Sequence, residues 1–197
     1  GFKINAHYMP GLPGISRKED KEGLNRLFKD ENFMPDMLKL YPCMVVKGTK
    51  LYNDWKKGKF KPITTEEAAK LIAEFKKNVP KFVRIMRVQR DIPTYQTEAG
   101  VDRTNLRQYI SEYMKEKGWK CRCIRCREVG RAKDIGDIKI KSMHYRSSGG
   151  TEFFISAEDK KCIIGFCRLR FPKQFLRKEI TEESALIRKL HVYGQAV

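Results

Sequence analysis

Apolar and polar positions in residues 2–88 recur with a period of two, then near 3.6, then two again, the signature of strands alternating with helices. Residues 2–9, Phe-Lys-Ile-Asn-Ala-His-Tyr-Met, alternate as a strand and run into the turn Pro10-Gly11-Leu12-Pro13-Gly14. Ser16 and Glu19 form a capping box, and Leu24, Leu27 and Phe28 continue it as the apolar stripe of a helix reaching about residue 30. Residues 37–41 and 43–46 read as a buried strand interrupted at Pro42. Thr64 and Glu67 cap a second helix whose face is Ala68, Leu71, Ile72 and Phe75. A third strand is predicted over 82–88. Strand, helix, strand, helix, strand builds a parallel sheet with right-handed crossovers, and chemistry in such sheets gathers at the carboxyl ends of the strands. Those ends hold 7–14, 39–47 and 89–91. Three strands and two helices cannot close an eight-stranded barrel, but they can be its last arc.

The pattern changes beyond residue 92. Residues 105–117 predict a helix with Leu106, Tyr109, Ile110, Tyr113 and Met114 on its apolar face and Gly118 as its stop. Residues 135–143 alternate again, with Ile138, Ile140 and Ser142 on one side and Lys139 and Lys141 on the other. Strands are predicted over 151–156, 162–170 and 186–193, with turns at 147–150 and 158–161. This part is mostly antiparallel, and no helix follows to cover its second face. The fold class is α/β plus α+β, in three units: 1–92, a helical linker over 93–135, and 136–197.

Charge narrows the function. Lys and Arg total 42 against 24 Asp and Glu, a formal charge of +18 in 197 residues. Such an excess, spread along the chain, points to a polyanionic partner, most simply nucleic acid. A membrane surface is disfavoured, because no stretch approaches the roughly 18 apolar residues of a spanning helix and no signal peptide opens the chain.

Three of the six cysteines lie within six residues, Cys121-Arg122-Cys123-Ile124-Arg125-Cys126. That spacing brings three thiolates to one ion, and Zn²⁺ takes thiolates at roughly 2.3 Å in a tetrahedron. An iron-sulfur cluster is the competing guest. Lys120, Arg122, Arg125 and Arg127 favour the thiolate forms. A fourth ligand comes from His191, ahead of His144, Cys162, Cys167, Cys43 and His7. So few cysteines, three of them at metal spacing, indicate a reducing, cytoplasmic setting rather than a disulfide scaffold.

Several strings together resemble one family. They are Ala6-His7-Tyr8-Met9-Pro10, Leu38-Lys39-Leu40-Tyr41-Pro42, Gly48-Thr49 with Leu51-Tyr52, Arg87-Val88-Gln89-Arg90-Asp91-Ile92-Pro93, Asn105-Leu106-Arg107, Arg127-Glu128-Val129-Gly130, Gly149-Gly150, Arg168-Leu169-Arg170 and Leu190-His191-Val192-Tyr193-Gly194. In order and over nearly the whole chain they resemble the catalytic subunit of Elongator. The resemblance implies a radical-SAM partial barrel joined to a GNAT-like acetyltransferase domain, modifying the wobble uridine of tRNA from acetyl-CoA. It also implies S-adenosylmethionine, a [4Fe-4S] cluster, and either other Elongator subunits or a second copy as partners.

The family's cluster cysteines and acetyl-CoA loop have no counterpart here, so the chain is expected to be a central fragment, inactive alone. The resemblance also favours zinc at Cys121, Cys123 and Cys126. Within this frame Lys39, Tyr41, Gln89 and Arg90 are expected to line the barrel-end pocket. Arg84, Arg87, Arg122, Arg125, Arg127, Arg131, Lys139 and Lys141 are expected to contact tRNA phosphates, and Tyr145 and Tyr109 are candidates for base stacking. Two other classes compete: a zinc-stapled RNA-binding module without catalysis, and a protein-lysine (histone) acetyltransferase. The +18 charge opposes the docking of a basic histone tail.

Overall fold

A computed structural model describes residues 2–89, 94–130 and 135–194. Strands β1 (Asn5–Tyr8), β2 (Met37–Leu40) and β4 (Arg84–Arg87) form a parallel sheet in the order β1-β2-β4. Helix α1 (Arg17–Arg26) connects the first pair, and α3 (Thr65–Asn78) leads toward β4. Both helices begin with complete capping boxes, Ser16 with Glu19 and Thr64 with Glu67. Ala68, Leu71, Ile72 and Phe75 of α3 are buried, as the 3.6-residue period requires. In α1 only Leu24 among the apolar positions is fully buried, while Leu27 and Phe28 fall just past the helix and pack against the core.

The stretch read as one interrupted strand divides into two. After β2 the chain leaves the parallel sheet, and β3 (Val45–Val46) pairs antiparallel with β5 (Thr97–Ala99). Pro42 has no N–H for the ladder, which separates the two segments. Gly100 closes this small sheet at φ +111°, where an added Cβ would stand 3.2 Å from both the Cys43 carbonyl oxygen and the Met44 Cα. Helix α2 (Lys50–Lys56), capped by the Thr49 side chain, was not evident from apolar spacing, because none of its residues is buried. Helix α4 (Leu106–Glu116) buries Leu106, Ile110 and Met114 and packs on α3. The short helix α5 (Ile124–Arg127) follows.

Strands β6 (Lys139–Ser147), β7 (Gly150–Glu158), β8 (Ile163–Phe171) and β9 (Leu186–Val192) make a four-stranded antiparallel meander. Its inner face carries Tyr145, Phe154 and Phe166 into the same apolar cluster as Leu38, Ile85, Ile110 and Ile124, so one core runs through both sheets and the helices α4 and α5. The two predicted sides of β6 are kept, and the lysine side is the one that continues into the core. Ile138 and Ile140 are exposed, and Lys139 and Lys141 share the side of Met143 and Tyr145. Aromatic packing of Tyr145 on Phe82, centroids 3.8 Å apart and nearly parallel, decides this parity, and a strand's period of two then fixes every other side chain. On the opposite face Ile140, Ile187, Leu190 and Val192 remain exposed.

The two sheets meet through charge as well as apolar contact. Asp36, at the entrance of β2, receives Arg188 Nη1 and Nη2 at 2.9 and 2.7 Å and the Ile4 N–H at 3.0 Å, and pairs with Arg168 at 3.0 Å. Glu152 binds Arg170 and Arg188, each at 2.9 Å. Burial pushes the Asp36 carboxyl up, but the Arg188 hydrogen bonds, the Arg168 charge and the Ile4 N–H outweigh it and hold the group below the usual carboxylate range.

Candidate metal centre and its surroundings

Helix α4 ends at Gly118, whose φ of +66° only glycine adopts cheaply. The Trp119 N–H returns to Met114 O at 2.8 Å, and the chain turns into the cysteine segment. The Ile124 N–H then bonds Val83 O at 2.9 Å, fastening this segment to the entrance of β4. The Val129 N–H bonds Ile163 O at 3.1 Å and ties its exit to β8. So pinned at both ends, Cys121, Cys123 and Cys126 bring their sulfurs within 4.8 Å of one another. Three thiolates on a tetrahedral Zn²⁺ stand about 3.8 Å apart given bonds near 2.3 Å, so a closure of an ångström or less suffices. A cubane iron-sulfur cluster spreads its thiolates over separate irons and fits this convergence less well.

Proton sharing shows how strongly the sulfurs interact. Hydrogen bonds from Cys121 and Cys126 push the Cys123 thiol well below its ordinary range, helped by the Ile85 and Cys126 backbone N–H groups. The same contacts push Cys121 up, since both shifts express one shared proton. A bound cation would replace that proton.

His191 is not among the converging groups. It lies on β9 opposite Phe166, with its ring 4.4 Å from that of Tyr193, and burial with the Lys189 and Arg84 charges pushes its imidazole down. His144 faces Phe153 on the other side of the meander. Among the described residues, the group able to hold a metal consists of the three cysteines.

The cations facing the sulfurs differ from those interleaved with them in sequence. Arg107, on α4, is pushed down by burial and by Arg125 while the three cysteines pull it the other way. Lys76, on α3 and 2% exposed, acts on Cys126. Neither was singled out from sequence. The available signal was a lysine inside an otherwise buried helical face.

The expected phosphate contacts divide. Arg84 bonds Glu128 and the Tyr193 hydroxyl, the latter at 2.9 Å. Arg127 binds Glu158 at 2.6 Å and the Arg122 and Lys81 carbonyls at 2.8 and 2.9 Å. These two arginines staple β4 and the cysteine segment to the rest of the fold. Arg125 and Lys141 reach Glu128 and Glu158, and Lys139 sits beside Asp137. Arg122 is exposed, as is Arg87 at the end of β4, and Arg131 lies outside the described residues. Tyr145 stacks within the core rather than offering a face to a base, and burial pushes its hydroxyl up to about 12. Tyr109 packs against the core.

Toward the carboxyl ends of the parallel strands, His7, Lys39 and Arg87 occupy neighbouring register positions across the sheet, and Tyr41 meets the His7 ring edge-on at 5.5 Å. Gln89 follows β4. Its side-chain oxygen accepts the Leu106 N–H at 3.3 Å and its amide donates to Arg103 O at 2.5 Å, so it fastens the start of α4. Asn105, at the cap position, makes no such side-chain bond. Arg90 falls outside the described residues.

Known proteins place this arrangement. The Radical_SAM C-terminal domain family matches residues 35–116. A tRNA uridine(34) acetyltransferase of Methanocaldococcus infernus is 47% identical over 98% of this chain and 38% of its own length. Elongator complex protein 3 of Homo sapiens is 38% identical over the whole chain and 38% of its own length. The solved structure of the archaeal Methanocaldococcus infernus Elp3 with an N-terminal deletion superposes with a TM-score of 0.92 at 46% identity, covering 98% of this chain and 47% of that one. The chain thus spans 38% of the length of these curated relatives, and over that span its sequence and its mixed α/β fold, with a radical-SAM C-terminal domain, are similar to those of Elongator complex protein 3 and its archaeal relatives.

Proposed function

We propose that the protein converts the wobble uridine of tRNA to a carboxymethylated form, drawing the two-carbon unit from acetyl-CoA with radical chemistry supplied by S-adenosylmethionine and a [4Fe-4S] cluster. The observation that carries this reading is the 47% identity to a tRNA uridine(34) acetyltransferase across 98% of the chain. In this reading β1, β2 and β4 are the last arc of the radical-SAM barrel, residues 93–135 are a linker, and the meander of 136–197 is the first part of a GNAT-like domain. Lys39 and Tyr41 face the barrel-end pocket beside His7. A Zn²⁺ held by Cys121, Cys123 and Cys126 staples the linker and adds rigidity where the two sheets meet. The buried charge layer around Asp36 supports a fixed relation between the sheets, which a reaction passing between two domains requires. Other Elongator subunits or a second copy are the expected protein partners, and the setting is cytoplasmic. Among the described residues no helix is long and apolar enough to cross a membrane.

The test is direct. The full-length protein, reconstituted anaerobically with its cluster, is incubated with tRNA, S-adenosylmethionine and acetyl-CoA labelled in the acetyl group. Label recovered in the wobble nucleoside supports the reading. Label recovered only in protein lysines would replace it with protein acetylation.

A further inference from the structure

A groove of about 540 Å³ opens beside the cysteine segment. Cys121 and Cys126 lie along it, Trp119 contributes an aromatic surface, and cations converge on it from three elements. Lys76 comes from α3, Lys120 and Arg122 from the cysteine segment, and Lys160 and Lys161 from the turn between β7 and β8. None of these five side chains pairs with a carboxylate among the described residues, whereas Arg127, also on the groove, is already committed to Glu158. The turn is rigid: Asp159 accepts the Lys161 and Cys162 N–H groups at 2.6 and 2.5 Å, so its own negative charge is engaged by the backbone.

Elsewhere the structure neutralises its arginines with acids, as at Asp36, Glu128, Glu152 and Glu158. Here cations stand together with no carboxylate partner among the described residues, and the cysteine sulfurs are their nearest acidic neighbours. Five cations exceed what three thiolates can offset, above all with a dication bound, so a polyanion in the groove is favoured. The groove is open along its length and its cations stand on separate elements, which suits a chain of phosphates better than one small anion. An aromatic side chain among lysines is the usual composition of a track for single-stranded nucleic acid.

We propose that this groove, with Lys120, Arg122, Lys160 and Lys161 as its charged walls, the buried Lys76 at its base and Trp119 beside them, is a binding track for an RNA phosphodiester backbone. The proposal rests on the tRNA reading above and separates Arg122, which lines the track, from Arg125 and Arg127, which pair with Glu128 and Glu158. It also gives the cysteine site a second consequence: the ion that fixes Cys121 and Cys126 fixes one wall of the track.

The experiment measures binding of fluorescein-labelled tRNA to the full-length protein by anisotropy over a range of salt. The variants are Lys160→Ala with Lys161→Ala, Lys120→Ala with Arg122→Ala, and, as a charge-matched control away from the groove, Lys57→Ala with Lys59→Ala. Each groove pair is expected to flatten the slope of log K against log salt by about 1.4 to 1.8, the counter-ion release of two phosphate contacts, weakening binding roughly 25- to 60-fold at 0.1 M salt. The control pair should leave the slope near that of the wild type. Groove pairs indistinguishable from the control, in a protein that still binds tRNA and modifies its uridine, overturn the track alone. A wild-type protein that does not bind tRNA overturns the functional reading and the track with it. Inorganic phosphate at matched ionic strength should not displace the RNA, and displacement would replace the track with a discrete phosphate pocket.

Discussion

Replacing Asp36 tests whether charge holds the two sheets together. The carboxylate is 3% exposed and its partners Arg168 and Arg188 are 2% and 7% exposed, so the pairs are screened little by solvent. Asp36→Ala leaves two guanidiniums and the Ile4 N–H without their acceptor. Breaking a buried pair from one side costs about 3–5 kcal/mol. Arg188 keeps Glu152 and Arg168 keeps the Phe82 carbonyl, which places the expected loss near the lower end, about 3 kcal/mol. For a chain of this size that corresponds to a Tm lower by roughly 6–12 °C. Urea unfolding followed by circular dichroism measures it, with coincident far- and near-ultraviolet transitions as the check on two-state behaviour. Asp36→Asn keeps the shape and removes the charge, so it should lose nearly as much. The sign of the pH dependence follows from the lowered carboxyl. Its stabilisation is fully present above the unfolded value of about 3.9 and is lost as pH falls through the lower folded value. Glu158, held down by Arg127 and Ser156 against its burial, loses stabilisation in the same direction. A loss below about 1 kcal/mol in both Asp36 variants, the size of an exposed salt bridge, would refute the argument and leave the apolar cluster as the sole fastening.

Three further outcomes follow from local geometry. Cys123→Ser should abolish a single bound zinc in metal analysis and lower the melting temperature, because Cys123 is fully buried and accepts the Ile85 N–H; one equivalent retained in the variant would place the ion elsewhere. Gln89→Ala should cost about 1 kcal/mol and speed amide exchange at Leu106, whose N–H it accepts; unchanged exchange would show that α4 is started by other contacts. Gly23→Ala should destabilise, although alanine ordinarily gains about 1 kcal/mol over glycine within a helix, because the new Cβ collides with the Tyr8 hydroxyl. A melting temperature that rose instead would mean that Tyr8 gives up its 3.0 Å bond to Asp20 O at little cost.

Local signals carried much of the fold. Capping boxes at Ser16 and Thr64, the apolar stripes of α3 and α4, and the strand alternation in β1 and β7 are decided by residues within one or two turns of each other, so the sequence displays them directly. The clustering of Cys121, Cys123 and Cys126 is of the same kind, since short spacing forces proximity whatever the surrounding fold. What depends on distant contacts was not displayed. The alternation of β6 left open which of its sides is buried, and that turned on Tyr145 finding Phe82, 63 positions away by their numbers. Arg84 and Arg127 looked like surface cations until Glu128, Glu158 and Tyr193 stood beside them. His191 was drawn toward the cysteines by residue type and held away from them by β9. Asp36, Arg168 and Arg188 are unremarkable in sequence and form the charged joint of the molecule only once two sheets bring them together. Side-chain chemistry and short-range periodicity are written along the chain; the pairing of charges across it is a property of the assembled fold, because a buried charge is tolerated only where its partner arrives.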